Sequence, residues 1–316
     1  MLAIWLENNE VSLRDNVLMP KLLDDEVLIR ILRAGICNTD ISLINGYYPF
    51  TGVIGHEFVG VVDSGPNEWI GKTVVSEINV GCGICPYCIN FDNRHCENRT
   101  TIGIKNRNGA FAEYLSAPLS NLYIVPESLS LDQATFVEPL AAALQIQSQI
   151  SIESGVSVMV LGAGKLGQLI ARSLSLTNCD LHVFDRNPDK LELLSNNNID
   201  TSSSDCIPKK FFDIAIECTG SSDGFNLAYQ SLRPKGKLVM KSTYPGNLDL
   251  DISQVVVDEI TLIGSRCGPF DLAIEMLNNG SIQIEDLIDY KYSLNDGLLA
   301  IKQAKKSGML KVLLEM

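Results

Sequence analysis

The sequence predicts a mixed α/β chain in two parts, an irregular β domain followed by a doubly wound parallel sheet. Three observations predict it. Residues up to about 140 read as short β-rich runs broken by Gly, Asn, Asp and Pro. From Ser154 strand-like and helix-like stretches alternate, which implies a parallel sheet with crossover helices. A glycine-rich loop joins the first of those strands to the first of those helices.

In chain order, the first part offers β-rich runs at 27–32, 58–62, 72–79 and 110–116, which predict an antiparallel arrangement. The second part begins with a strand at 156–161 and a helix at 165–176, then a strand at 181–184 and a helix from Pro188. Strands follow at 213–216, 237–240 and 259–263, with a helical stretch at 223–232 between the first two. Asn196 to Asn198 and Ser202 to Ser204 read as polar loops. After a helix at 270–279 the tail reads strand, helix, strand at 287–290, 296–306 and 310–314. The expected domains are 1–140 with a cysteine lobe at about 80–100, then 141–285, then a return of 286–316 to the first domain. No repeat of fixed period is present.

Composition narrows the function. With 316 residues, 46% of them hydrophobic and 20% charged, the chain can fill two ordinary cores. A net charge of −13 and a pI near 4.7, with no long run of Lys or Arg, argue against nucleic-acid binding. The opening MLAIWLENNE has no basic segment, and no apolar run approaches bilayer length, so a soluble cytoplasmic protein without membrane partners is expected. Four of the nine cysteines fall within fifteen residues, which points to metal ligation rather than a disulfide framework.

The glycine loop is Gly162-Ala163-Gly164-Lys165-Leu166-Gly167. Gly162 permits the tight turn, Gly164 lets backbone approach a pyrophosphate, and Gly167 lets helix and strand pack closely. The helix start at Lys165 and Leu166 turns its amide groups toward the anion. A bare glycine pattern is weak evidence, but here Asp185 ends the second strand 23 residues after Gly162, placed to accept hydrogen bonds from a ribose. That carboxylate repels a 2′-phosphate, so NAD is favoured over NADP, although the adjacent Arg186 could accommodate the phosphate.

Cys82, Cys85, Cys88 and Cys96 form C-x2-C-x2-C-x7-C, the ligand set of a closed structural zinc site; two disulfides or free surface thiols are the weaker readings. A second constellation combines Gly35-Ile36-Cys37-Asn38-Thr39-Asp40, Gly55-His56-Glu57 and Val137-Glu138-Pro139-Leu140. Alone, Cys37 or His56 would read as a core residue. Together, a thiolate, an imidazole and a carboxylate leave a fourth zinc position open, the pattern of a catalytic site. Asp40 has the chemistry to orient His56, and otherwise would cap a helix or turn. Thr39 offers a hydroxyl beside the metal, or a local turn bond.

These motifs, in this order along essentially the whole chain, resemble the medium-chain, zinc-dependent alcohol and polyol dehydrogenases, in particular the sorbitol and threonine dehydrogenase branch. The resemblance implies a GroES-like irregular β-barrel catalytic domain interrupted by a Rossmann domain, with the active site in the cleft and assembly as a homodimer or homotetramer. It implies two zinc ions per chain, NAD as cofactor with NADP less favoured, and a small alcohol or polyol as substrate. Cys37 and His56 become ligands of the catalytic zinc, Asp40 the partner of His56, and Thr39 the first hydroxyl of a proton relay. The third ligand is Glu138 or Glu57, since family members of both kinds are known, and Glu138 is the preferred reading. Glu217-Cys218-Thr219-Gly220 and Gly264-Ser265-Arg266 resemble segments on the nicotinamide side.

The chain departs from the pattern in three ways. Ser42 stands where many relatives carry the histidine that ends the relay, and His95 and His182 are no obvious replacement. The chain is shorter than most relatives, and Ile89-Asn90-Phe91 replaces a glycine often found after the third lobe cysteine. A zinc-free quinone or enoyl reductase would lack the cysteine lobe and the ligand motifs, whereas a non-catalytic NAD-binding paralogue would keep both. Tyr47, Tyr48 and Phe50 lie between the catalytic motifs and are expected to face substrate or to pack in the core.

Overall fold

The computed structural model describes all residues except Phe91, Tyr244, Pro245, Gly246 and Asp249, so the Phe91 part of the lobe expectation lies outside the described residues. The chain divides into two compact units, Met1–Glu138 with Phe270–Met316, and Pro139–Pro269.

The first unit is built on the ten-residue strand Glu26–Gly35, buried at most of its positions. It pairs antiparallel with Glu57–Ser64, with Tyr114–Pro118 and with Lys311–Glu315. Thr73–Ser76 and Leu122–Ile124 extend the sheet on one side and Ile288–Ser293 on the other. The last of these pairs parallel with Lys311–Glu315, an exception to the antiparallel expectation. The helix Gly297–Ala304 lies between those two strands in the chain and supplies the crossover that a parallel pair needs. Ile29, Ile31, Leu43, Ile54, Phe111, Leu115 and Leu314 belong to the core of this unit.

Two expected strands are corrected. The run 72–79 breaks into Thr73–Ser76 and Asn79–Val80. Side chains take over its backbone: Glu77 accepts from the backbone and side-chain amides of Asn79, and Asn121 donates to the carbonyls of Glu77 and Asn79. The run 110–116 becomes a strand only at Tyr114, because Ala110 and Phe111 donate to the carbonyls of Gly55 and Ile54 in a loop. Helices that the sequence does not predict form at Asn38–Ile44, Pro86–Ile89, Leu131–Thr135, Val137–Gln149 and Ile252–Val257.

The second unit is a parallel sheet of six strands. Its order is Asp200–Ser203, Asp180–Asp185, Ser157–Leu161, Phe212–Glu217, Leu232–Met240, Thr261–Gly264. Counted along the chain this is 3-2-1-4-5-6, the doubly wound arrangement whose strand order reverses beside Ser157–Leu161. Met159, Leu161, Phe184, Phe212, Phe225 and Leu238 form a core cluster there. Ser202 and Ser203, expected in a polar loop, belong to the edge strand Asp200–Ser203, which is paired on one side only and has no buried residue to give an apolar alternation. The helix Lys165–Leu174 stops short of the expected 176, giving way to a tighter turn that ends at left-handed Asn178.

Candidate functional site

Short turns gather the four lobe thiols. Cys85 precedes the one-turn helix Pro86–Ile89, Cys88 lies within it, and Cys96 follows the turn Asn93–His95. Their sulfur atoms all lie within 4.8 Å of one another, against a separation of about 3.8 Å for thiolates arranged tetrahedrally around zinc. All four are free thiols. Backbone amides of Ile84 and Cys85 pull the Cys82 thiol down to about 6, while burial pushes Cys88 up to about 11. Ile84 and Ile89 are 82% and 64% exposed, so the lobe has little apolar packing of its own. His95 lies there too, 3.7 Å from Asp92.

The second cluster depends on strand register. Gly35 pairs with Glu57 across the central ladder, which brings the residues just beyond one strand, Cys37 onward, beside the start of the other at His56 and Glu57. Ligand atoms of Cys37, His56 and Glu57 lie within 4.8 Å of one another. Asp40, fully buried, serves two partners: Oδ2 accepts the Cys37 amide at 2.8 Å and Oδ1 meets Nδ1 of His56 at 3.1 Å. The capping and orienting readings of Asp40 therefore coexist. With the Nδ1 proton directed at Asp40, Nε2 of His56 is left as the electron-pair donor. Burial works against a charged imidazole, but Asp40 and Cys37 outweigh it and raise His56 well above its usual value. Thr39 places Oγ1 3.7 Å from Sγ of Cys37.

The two carboxylates are treated differently. Glu57 joins the trio, whereas Glu138, at the start of Val137–Gln149, does not join it within the same limit. Burial pushes the Glu138 carboxyl up to about 7, against the lowering effect of His56 and with a further rise from Glu57. Lys311, which the sequence reading missed, donates to Oε2 of Glu57 at 2.5 Å, and both side chains are almost completely buried. Burial opposes the Lys311 charge, but Glu57, Cys37 and Glu138 outweigh it and raise its pKa. Of the aromatic residues, Phe50 packs against the core, while Tyr47 and Tyr48 are exposed.

In the second unit the glycine loop follows Ser157–Leu161 directly, at the carboxyl end of the sheet. A Cβ at Gly167 would lie 1.8 Å from the Gly162 carbonyl oxygen, so helix and loop touch through backbone. A Cβ at Gly164 would meet nothing within 4 Å, an open side suited to an approaching phosphate. No side chain caps the helix that starts at Lys165, so Leu166 and Gly167 stand in a first turn able to meet an anion. Asp185 uses both oxygens on backbone: Oδ2 accepts the Ala163 amide at 2.6 Å and Oδ1 the Asn187 amide at 2.8 Å. Buried Gln168, also missed from sequence, donates to the Ala163 and Lys190 carbonyls. Arg186 is exposed. Glu217 folds back so that Oε1 accepts from Thr219 N, Thr219 Oγ1 and Gly220 N, which makes the Thr219-Gly220 turn. Ser265 accepts from Lys241 at 3.1 Å. His182 is tied to Ser202 at 2.8 Å and stacks on Phe184.

Comparison with known proteins agrees with this architecture. Residues 23–127 match the alcohol dehydrogenase GroES-like domain, and residues 166–279 match the zinc-binding dehydrogenase domain. The chain is 29% identical to a D-arabitol-phosphate dehydrogenase from Enterococcus avium, over 94% of this chain and 92% of that one. It is 26% identical to a sorbitol dehydrogenase from Halalkalibacterium halodurans, over 92% and 91% of the two chains. A zinc-binding dehydrogenase from Sinorhizobium meliloti 1021, solved with NADP, superposes with a TM-score of 0.89 at 26% identity, covering 100% of this chain and 99% of that one. Both domain models match in the family's order and the two relatives align over more than nine-tenths of each chain: the chain belongs to the zinc-dependent medium-chain alcohol and polyol dehydrogenases.

Proposed function

We propose that this protein is a zinc-dependent dehydrogenase that moves a hydride between a small alcohol or polyol and NAD, giving the aldehyde or ketone. The observation that carries the reading is the trio of half-buried Cys37 with buried His56 and Glu57, with Asp40 behind the imidazole and Thr39 beside the thiol. Thiol, imidazole and carboxylate suit zinc, and three protein donors leave a fourth position for substrate. When bound, zinc stabilises negative charge on the alcohol oxygen, and the nicotinamide accepts the hydride. Asp40 keeps the imidazole in one tautomer. Thr39 takes the alcohol proton through its hydroxyl, and Ser42, one turn further along Asn38–Ile44, hands it on to solvent or to a ribose hydroxyl. Thr219 and Gly220 flank the nicotinamide, and the four-cysteine lobe holds a second, structural zinc.

The test is NADH formation with a panel of polyols, polyol phosphates, 3-hydroxy amino acids and secondary alcohols, with metal content measured on the same sample. Turnover with at least one class and two zinc ions per chain is the expected result; no turnover across the panel with both metals present would favour a non-catalytic paralogue.

NAD preference follows from Asp185. Two backbone amides hold its carboxylate, so it stays in place to accept ribose hydroxyls and to repel a 2′-phosphate. Arg186 softens the repulsion without removing it. In Asp185→Ala the ratio of kcat/KM for NAD to that for NADP is expected to fall by about tenfold or more, since removing a like charge lifts a penalty of over about 1.4 kcal/mol. Loosening of Ala163 affects both cofactors and cancels in the ratio. An unchanged ratio would remove Asp185 from cofactor choice.

Assembly into dimers or tetramers is supported by the edge strand Thr261–Gly264, where Leu262 is exposed, and by exposed Val256 and Val257 on the preceding helix. Among the described residues no helix is long and apolar enough to cross a membrane, which accords with a place in the cytoplasm.

A further inference from the structure

We infer that Lys311 is a positioning residue that limits how much of the Glu57 carboxylate the metal centre can use, an inference that rests on Cys37, His56 and Glu57 being that centre. Three observations carry it. Nζ of Lys311 lies 2.5 Å from Oε2 of Glu57, and the two side chains are 3% and 1% exposed, so no water competes for that oxygen. The oxygen is also wedged. It lies over Gly35, where a Cβ would stand 2.5 Å from it, and the methyl of Thr135 closes on the same point. Finally, the ammonium sits over the Phe136 ring at 5.2 Å, on a strand that pairs with Glu26–Gly35, so the cation is held as firmly as its partner.

A buried ion pair contributes little net stability compared with apolar residues of the same volume. Its consequence here is electronic. As metal ligands, the thiolate of Cys37 and the carboxylate of Glu57 would both be anionic donors, with Glu138 and Asp40 nearby. With Oε2 committed to Lys311, Glu57 offers the metal one oxygen, and the fixed positive charge draws electron density from that one. A carboxylate released from Lys311 would offer two oxygens, grip a cation harder, and weaken its action as a Lewis acid. Lys311 therefore exchanges metal affinity for reactivity.

The opposite signs of these two effects make the test decisive. In Lys311→Met, made in the full chain, chelator is expected to remove the catalytic metal about tenfold more slowly while kcat falls by a similar factor. With cobalt in the site, the visible absorption per metal should weaken, as it does when the coordination number rises. Lys311→Arg keeps a cation for Oε2 and should restore release rate, spectrum and kcat toward the parent. Lys311→Gln keeps a donor without the charge and should shift all three readouts in the methionine direction, which covers failure of the methionine variant to fold. Faster or unchanged metal release with an unchanged cobalt spectrum in the Met or Gln variant would overturn the inference. A parent chain that binds metal in the cysteine lobe alone would instead overturn the metal-site reading beneath it.

Discussion

Cys37→Ala is expected to leave a folded chain that holds one metal ion instead of two and turns over its alcohol at least about a thousandfold more slowly, because Lewis-acid stabilisation of the reacting oxygen amounts to several kcal/mol. The fold should survive. The backbone amide of Cys37 donates to the Asp40 carboxylate at the start of Asn38–Ile44, and alanine keeps that amide, losing only the thiol half of the capping box. The contact of His56 Nδ1 with Asp40 uses no atom of Cys37. Circular dichroism and the four-cysteine metal should therefore match the parent, while metal analysis reads a loss of one equivalent. Equal turnover in parent and variant would sink the mechanism, whatever the metal count.

Cys96→Ser is expected to act on the other metal and on a different observable. Cys96 is fully buried, and its sulfur accepts the Cys82 amide at 3.4 Å, so it joins the two ends of the lobe. Serine offers zinc a much poorer donor than a thiolate. Metal binding supplies the folding free energy of small sites of this kind, about 10–16 kcal/mol at neutral pH. Exposed Ile84, Tyr87 and Ile89 show how little apolar packing remains to replace it. Local opening should make tryptic cleavage at Arg94 or Arg99 faster by about a hundredfold or more, since protease access follows the free energy of local opening. One metal equivalent should be lost while the Cys37 site stays loaded. A lobe that resists trypsin after losing its metal would show that packing, not the metal, holds it.

Most of the architecture was legible before any coordinates. Strand and helix alternation located all but one strand of the second unit, because buried parallel strands are continuous apolar runs with glycine-rich exits. Asp200–Ser203 escaped because an edge strand with no buried residue looks like a polar loop. In the first unit the run 72–79 breaks where side chains, not a ladder, satisfy the backbone around Glu77, Asn79 and Asn121, while the hairpin Ala3–Glu7 with Glu10–Arg14 and the strand Leu122–Ile124 are ladder strands that the sequence reading leaves out. The short helix at Asn38 was missed although its cap was in view: Asp40 had been weighed as a capping residue, and it is the bond from Cys37 N that starts the helix.

The sequence by itself determined what is local in the chain. The four lobe cysteines span fifteen residues and the glycine loop six, so a handful of backbone dihedrals decides whether their atoms can meet, and residue type with spacing is enough to read them. Tertiary structure alone decided the rest. It placed Glu57 rather than Glu138 with Cys37 and His56, through the pairing of Gly35 with Glu57 across two strands. It turned Asp185 onto Ala163, and it set Lys311 against Glu57 from 254 residues away. Contacts of that kind arise from the register between strands and from what the core leaves room for. A lone lysine in an apolar strand carries no periodicity or spacing that names its partner.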